Sequence, residues 1–195
     1  MTRTRKAYKG LPMEGWIASW YDRSTRRDTR RFRAAADTVV ARVPQGSRVL
    51  EVAPGPGYLS IEIAKRGAYQ LTGLDISRSF VRIAGENAAR AGVSIDFRQG
   101  DGAHMPFPDG SFDCVLSLNT IHNFPRPRAV VAMHEIQRVS NGRAFVQVDS
   151  YLTPEQKEIF ESWVLTAEFH DYPDGWLKVF ADSGYTGDYD WTIID

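Results

Sequence analysis

The sequence predicts an α/β fold: a doubly wound, mostly parallel sheet covered by helices on both faces, in three layers. Three observations carry this. Short apolar strand-like runs alternate with segments of helical period along the chain. The stretch from Arg48 to Gly57, RVLEVAPGPG, leaves a strand through a glycine turn and opens a helix. Phe112 to Leu118 is nearly all apolar, as expected of a central strand buried on both faces. Parallel neighbours need a crossover, which is right-handed, so any ligand crevice lies at the carboxyl ends of the strands.

The elements follow in chain order. Val49, Leu50 and Val52 form the first strand, which turns through Ala53-Pro54-Gly55-Pro56-Gly57 into a helix near Tyr58. Leu59, Ile63 and Ala64 recur at helical spacing, and Gly67 after Lys65 and Arg66 reads as the C-terminal cap. Tyr69 to Asp75 is the second strand, and Ser77 is an N-cap for a helix carrying Phe80, Ile83, Ala84 and Ala88, closed by Gly92. Val93 to Arg98 is the third strand and Phe112 to Leu118 the fourth. Pro127 suits the first position of a helix with Val130, Met133 and Ile136 inward, and Arg143 to Asp149 is the fifth strand. Thr153-Pro154-Glu155-Gln156 is a capping box before a stripe of Ile159, Phe160, Trp163, Val164 and Ala167. Trp176 to Ser183 is a last short helix, stopped by Gly184, and Thr186 to Ile194 is a final strand with Tyr189, Trp191 and Ile193 on one side.

Length and composition bound the rest. With 195 residues, 43% hydrophobic and 25% charged, the chain suits one globular domain with a substantial core. Cys114 is the only cysteine, so no intrachain disulfide forms and a reducing, cytoplasmic setting is expected. No signal-peptide pattern opens the chain, and no apolar run nears the roughly twenty residues that span a bilayer. The net charge is zero but unevenly spread: residues 1 to 33 hold ten Lys and Arg against three acids, and from Asp149 onward eleven acids face two lysines. A basic arm can meet nucleic acid or an acidic substrate. Without aromatic interleaving among the arginines, a solvated helix face is the better reading, and no nucleic-acid partner is expected.

Four loops meet at the crevice: Ala53 to Tyr58, Asp75 to Ser77, Gly100 to Met105, and Leu118 to Phe124. A dinucleotide fingerprint wants a third glycine where Ser60 stands, and Glu51, four residues before Gly55, would repel a diphosphate and attract a cation. S-adenosylmethionine carries no phosphate but offers a sulfonium, an ammonium, a ribose diol and an adenine. Asp75, twenty residues after Gly55, is placed to accept both ribose hydroxyls, and Asp101 to accept from the adenine amino group. Each acid taken alone could be a structural or turn carboxylate; three at successive strand ends beside a glycine turn form a pattern.

On VLEVAPGPG, LTGLDIS, FRQGDGAHMPFPDGSFDCVLSLNTIHNF and HEIQRVSNGRAFVQVD, the stretch from about Gly46 to Ser150 resembles a class I S-adenosylmethionine-dependent methyltransferase of the small-molecule type. The resemblance implies a Rossmann-like domain over 46–195 preceded by an amino-terminal helical lid over 1–45. It implies that Ala53, Gly55 and Gly57 shape the loop around the methionine part, with Glu51 holding that loop or the ammonium. Asp75 then takes the ribose, Ile76 packs on adenine, Asp101 with Gly102 and Ala103 reads the adenine edge, and Leu118 and Asn119 lie near the ammonium. Tyr21 falls at the lid position. The product of transfer is S-adenosylhomocysteine.

The turn before strand five, Ser140-Asn141-Gly142-Arg143, departs from the family's lysine-proline-glycine-glycine but keeps turn chemistry. The family commonly ends in two strands, the last antiparallel, whereas one clear strand follows Gly184; the open edge then needs protection by charges such as Asp188 and Asp190, by the amino-terminal arm, or by a second subunit in a homodimer. Methyl transfer is an in-line displacement that needs alignment above all, so a base is optional. For a hydroxyl acceptor the candidates are His122 and, beyond strand five, Asp149 and Tyr151; His122 is equally well a hydrogen-bonded loop histidine. No Cys or His spacing suggests a metal. Trp16, Trp20, Trp163 and Trp176 lie in segments that would cover a small-molecule acceptor, where two of them could line a pocket for a flat or sugar-like substrate. A cofactor-binding regulator or non-methylating enzyme and, disfavoured by Glu51 and Ser60, a nicotinamide-dependent oxidoreductase are the other readings.

Overall fold

A computed structural model describes residues 13–26, 29–164 and 166–193. Two helices, α1 (Gly15–Thr25) and α2 (Thr29–Val40), precede an alternating series: β1 (Arg48–Val52), α3 (Tyr58–Ala64), β2 (Gln70–Asp75), α4 (Arg78–Ala91), β3 (Asp96–Gln99), β4 (Cys114–Leu118), a 3-10 turn (Ile121–Asn123), α5 (Arg126–Val139), β5 (Ala144–Ser150), α6 (Pro154–Trp163), α7 (Pro173–Ser183) and β6 (Asp188–Ile193). The six strands lie in the order β3-β2-β1-β4-β5-β6, every neighbouring pair parallel. Strand order reverses between β1 and β4, so the crevice opens where those two strands end.

Alternation along β1 decides which layer each side chain enters. Leu50 and Val52 face one layer, packing with Val115, Val146, Met133, Ile136 and Trp176 under α5 and α7. Val49 faces the other, with Leu59, Ile63, Leu71 and Leu116 under α2 and α3. Glu51 shares that second face, which aims its carboxylate at α3.

Most element ends agree with the sequence to within a few residues. Ser77 caps α4, its hydroxyl accepting from Phe80 N, and Gly92 and Gly184 close α4 and α7 with φ of 71° and 68°. Several expectations are corrected. Gly67 does not cap α3, which ends earlier with Lys65 as a right-handed C-cap. The third strand starts at Asp96, because it forms the sheet edge and pairs only with β2. The fourth starts at Cys114, Phe112 instead bridging Ser140. Pro127 is the second residue of α5, and Pro173 opens α7 three residues before Trp176. The stripe after Thr153 is half right: Phe160, Val164 and Ala167 are buried, but Ile159 and Trp163 are exposed because α6 ends at Trp163 and turns its outer face to solvent.

The last strand is β6, parallel to β5 and at the edge; no antiparallel strand follows it among the described residues. Asp188 and Asp190 are exposed on it. Ile194, residues 1–12 of the basic arm, Arg27 and Asp28 lie outside the described residues.

Gly73 in the middle of β2 is required by close approach: a Cβ there would stand 2.5 Å from Phe97 Cδ1 and 3.0 Å from Pro54 Cγ. Gly73→Ala is expected to lower stability by about 1–3 kcal/mol. Part of the loss should return when Phe97→Leu is added, as read from urea denaturation of the single and double variants.

Candidate functional site

The turn after β1 is built for close approach by a ligand. Ala53 N donates to Leu74 O at 2.7 Å and Gly57 N to Pro54 O at 3.0 Å, while Ala53, Gly55 and Gly57 all take positive φ (53°, 54° and 80°). The left-handed conformation is free for the glycines but strained for Ala53, strain of the kind found at functional turns. Gly57 is obligatory for a second reason: a Cβ would lie 2.8 Å from Phe97 Cζ and 3.0 Å from Ala84 Cβ. Beside Gly55 a Cβ would meet nothing within 4 Å.

Three acids surround this turn in different states. Glu51 is buried, and its Oε2 accepts from both the backbone N and the hydroxyl of Ser60 on α3. Burial pushes its pKa up to about 7 against those two hydrogen bonds. Ser60, read from sequence as a missing glycine, is therefore the partner that lets a carboxylate sit at the centre of the sheet. Asp75 Oδ2 accepts from Gly55 N at 3.0 Å and Oδ1 from Ser77 N at 2.9 Å, and burial raises it to about 6. Asp101 Oδ1 accepts from Ala103 N at 2.9 Å and Oδ2 pairs with Arg128, whose guanidinium lies over Phe124. Gly102 fits between Val52 and Phe124, and Ile76 is 64% exposed on the lip beside Asp75.

Leu118, half-buried, ends β4, and Asn119 follows with φ of 51°. Asn119 Oδ1 accepts from Thr192 Oγ1 at 3.0 Å, and Thr192 Oγ1 accepts from Gln147 Nε2 at 2.8 Å, so β5 and β6 brace the loop. Sequence reasoning passes over Gln147 and Thr192; the one signal was a glutamine within a buried strand.

Helix α1, in the segment expected to be a lid, is tied down at both ends. At its start, Glu14 accepts from Arg78 N and Ser79 N at the head of α4, Gly15 N donates to Ser79 Oγ, and Ser77 Oγ donates to Met13 O. At its end, Asp22 Oδ1 accepts from Tyr58 OH at 2.6 Å and Asn87 Nδ2 at 3.0 Å, and Arg26 pairs with Oδ2. Burial opposes the Asp22 charge, yet the hydrogen bonds from Tyr58, Asn87 and Arg26 outweigh it and hold its pKa below the usual range. Asn87 also donates to Pro56 O, linking α1 to the turn itself. Tyr21, the residue expected at the lid position, packs edge-on against Phe80 with ring centres 5.8 Å apart. Its neighbour Asp22 makes the polar contact.

His122 and Asp149, chosen separately from sequence, meet. His122 Nδ1 lies 3.1 Å from Asp149 Oδ2, off the line of a well-directed hydrogen bond. Burial, with His170 adding to it, pushes His122 down to about 4, and burial pushes Asp149 up to about 6. Burial disfavours the charge on each. Trp176 is fully buried and donates from Nε1 to Asp149 O, so it supports this pair and cannot line an acceptor pocket. Tyr151 is buried and its hydroxyl is paired with His170 Nδ1 at 3.0 Å. Trp16, Trp20 and Trp163 are exposed. Among the described residues no group of His, Cys, Asp or Glu could hold a metal, and no helix is long and apolar enough to cross a membrane.

A parallel sheet with its crevice at a topological switch point, entered by a glycine turn after β1, is the fold that class I S-adenosylmethionine-dependent methyltransferase domains have. Residues 49–142 match the family described as a methyltransferase domain. Over 93 residues the chain is 37% identical to demethylmenaquinone methyltransferase of Deinococcus radiodurans, covering 47% of this chain and 38% of that protein. Over 89 residues it is 34% identical to the ubiquinone biosynthesis O-methyltransferase of Xanthomonas axonopodis, covering 45% and 37%. The fold is shared with magnesium protoporphyrin IX methyltransferase of Synechocystis, solved with SAH bound, at a TM-score of 0.66 and 22% identity over 80% of this chain and 73% of that one. The matched segment spans under two-fifths of the length of those two curated relatives.

A raised carboxylate pKa stabilises the folded state below the unfolded value of 4.5, and the contribution is lost as pH rises toward about 7. Glu51→Gln is therefore expected to gain stability relative to the unaltered protein, by about 1–3 kcal/mol, between pH 5 and pH 7. Urea midpoints of both proteins at the two pH values give the comparison; parallel pH profiles would show that Glu51 is not held in this state.

Proposed function

We propose that this protein transfers a methyl group from S-adenosylmethionine to a hydroxyl of a small-molecule acceptor in a cytoplasmic setting. The observation that carries the reading is the set of three acids that follow one another along β1, β2 and the loop after β3: Glu51 bonded to Ser60 just past the glycine turn, Asp75 bonded to Gly55 N within it, and Asp101 bonded to Ala103 N. Glu51 and Asp75 are buried and burial raises both pKa values, so a cationic ligand beside them would favour their charged forms. Asp75 would accept the ribose hydroxyls, Ile76 and the Asp101 to Ala103 turn would flank the adenine, and the Ala53 to Gly57 turn, Leu118 and Asn119 would surround the methionine part. Bound there, the cofactor supplies an electrophilic methyl on a sulfonium.

The chain's own contribution is alignment and a proton sink. Two braced loops hold the crevice in shape, so proximity supplies much of the rate. His122, with its Nδ1 3.1 Å from Asp149 Oδ2, would accept the acceptor's hydroxyl proton at Nε2. Asp149 then faces an imidazolium and stabilises it. The two curated relatives are named for methyl transfer in quinone metabolism, which supports a small-molecule acceptor.

Two measurements test this. Asp75→Ala is expected to weaken S-adenosylmethionine binding at least about tenfold by calorimetry; unchanged affinity would mean that the ribose lies elsewhere. With an acceptor found by incubating methyl-labelled cofactor with a metabolite extract, His122→Asn should lower kcat by about 100-fold or more while leaving cofactor affinity unchanged. An unaltered kcat would remove His122 from proton transfer.

A further inference from the structure

Between α1 and α4 lies an open cleft of about 220 Å³. That is smaller than the roughly 300–1,000 Å³ of sites that take a whole drug-sized ligand. It suits a single charged group. Its walls carry Arg23 and Arg26 from α1 and Arg82 and Arg90 from α4, against the carboxylates of Asp22 and Glu86. Among the described residues, four guanidinium groups facing two carboxylates leave two positive charges in excess.

The pairing shows which charges are spare. Arg82 is matched by Glu86 at 2.6 Å and Arg26 by Asp22 at 2.7 Å. Arg90 donates to the neutral Asn87, and Arg23 has no ion-pair partner among the described residues. The two uncompensated guanidiniums therefore stand on opposite helices of one concavity, an arrangement that costs Coulomb energy unless an anion lies between them. Guanidinium forks match the oxygens of a phosphoryl group in pairs, and a dianion matches the excess charge.

We propose that this cleft is a binding site for a phosphoryl group carried by a compact, phosphorylated small molecule, with Arg23 and Arg90 as its principal ligands. The small volume favours a compact anion over an extended nucleic-acid strand, which would need a continuous groove. Asp22 also lines the cleft, and it accepts from Tyr58 and from Asn87, which in turn donates to Pro56 O in the glycine turn. The proposal does not depend on the methyl-transfer reading, because it is tested by binding alone.

The test is calorimetric titration of the full chain with inorganic pyrophosphate at constant ionic strength. One saturable site is expected, weakened at least about tenfold in the Arg23→Ala, Arg90→Ala double variant. The Arg23→Lys, Arg90→Lys variant should fall between them, since charge is kept but the fork is lost. Arg98→Ala, which removes an exposed arginine on β3, should bind as the unaltered protein does. Absence of saturable binding, equal affinity in the double alanine variant, or saturable binding of duplex DNA without a response to pyrophosphate would each overturn the proposal.

Discussion

The Glu51 carboxylate is buried at the middle of the sheet, on the face of β1 that meets α3, and takes two hydrogen bonds from Ser60. A carboxylate in such a place costs several kcal/mol unless it is bonded, and removing the donors while leaving the acid would expose that cost. The pair therefore locks the first crossover helix to the central strand. Between the two residues lies the whole Ala53 to Gly57 turn, so this contact fixes the span that the turn must bridge. The strain at Ala53 and the close fit of Gly57 against Phe97 are consequences of holding the turn in a fixed span.

From that anchor the site extends outward by polar braces. Asp75 bonds Gly55 N and so ties β2 to the same turn. Asn87 and Tyr58 tie it to Asp22 of α1, and Glu14 fixes the other end of that helix to Arg78 at the start of α4, three residues past Asp75. On the far side of the switch point, Thr192 and Gln147 hold Asn119. These braces join segments far apart in the chain, which is the arrangement that keeps a catalytic constellation within the tolerance that alignment requires.

Helix α1 also explains the uneven charge of the sequence in part. The arginines of the amino-terminal region are not a uniform solvated face: Arg26 is occupied with Asp22, while Arg23 lines a cleft with Arg82 and Arg90. At the opposite edge, exposed Asp188 and Asp190 on β6 place like charges where a second strand would approach, a common protection for an open edge.

The order of strands and helices, the glycine turn and the three acids were legible in the sequence because each rests on local information: periodicity, capping residues and a contiguous motif. Ser77 with Gly92, and Gly55 with Asp75, could be placed by spacing alone. Element ends such as Lys65, Cys114 and Trp163 were not, since neighbouring strands and solvent decide where hydrogen bonding stops. The partners of the acids were not legible either. Ser60 looked like a lost glycine, Asp22 like one charge in a basic arm, and His122 and Asp149, at the ends of β4 and β5, like two separate candidates. What brings them within reach is the crossover that sets parallel strands side by side with their ends level. Sequence by itself determined the order of strands and helices and the residues of the loops that follow the strands, and the tertiary structure decided which of those loops touch, because contact across a parallel sheet depends on register and layer packing that no local segment encodes.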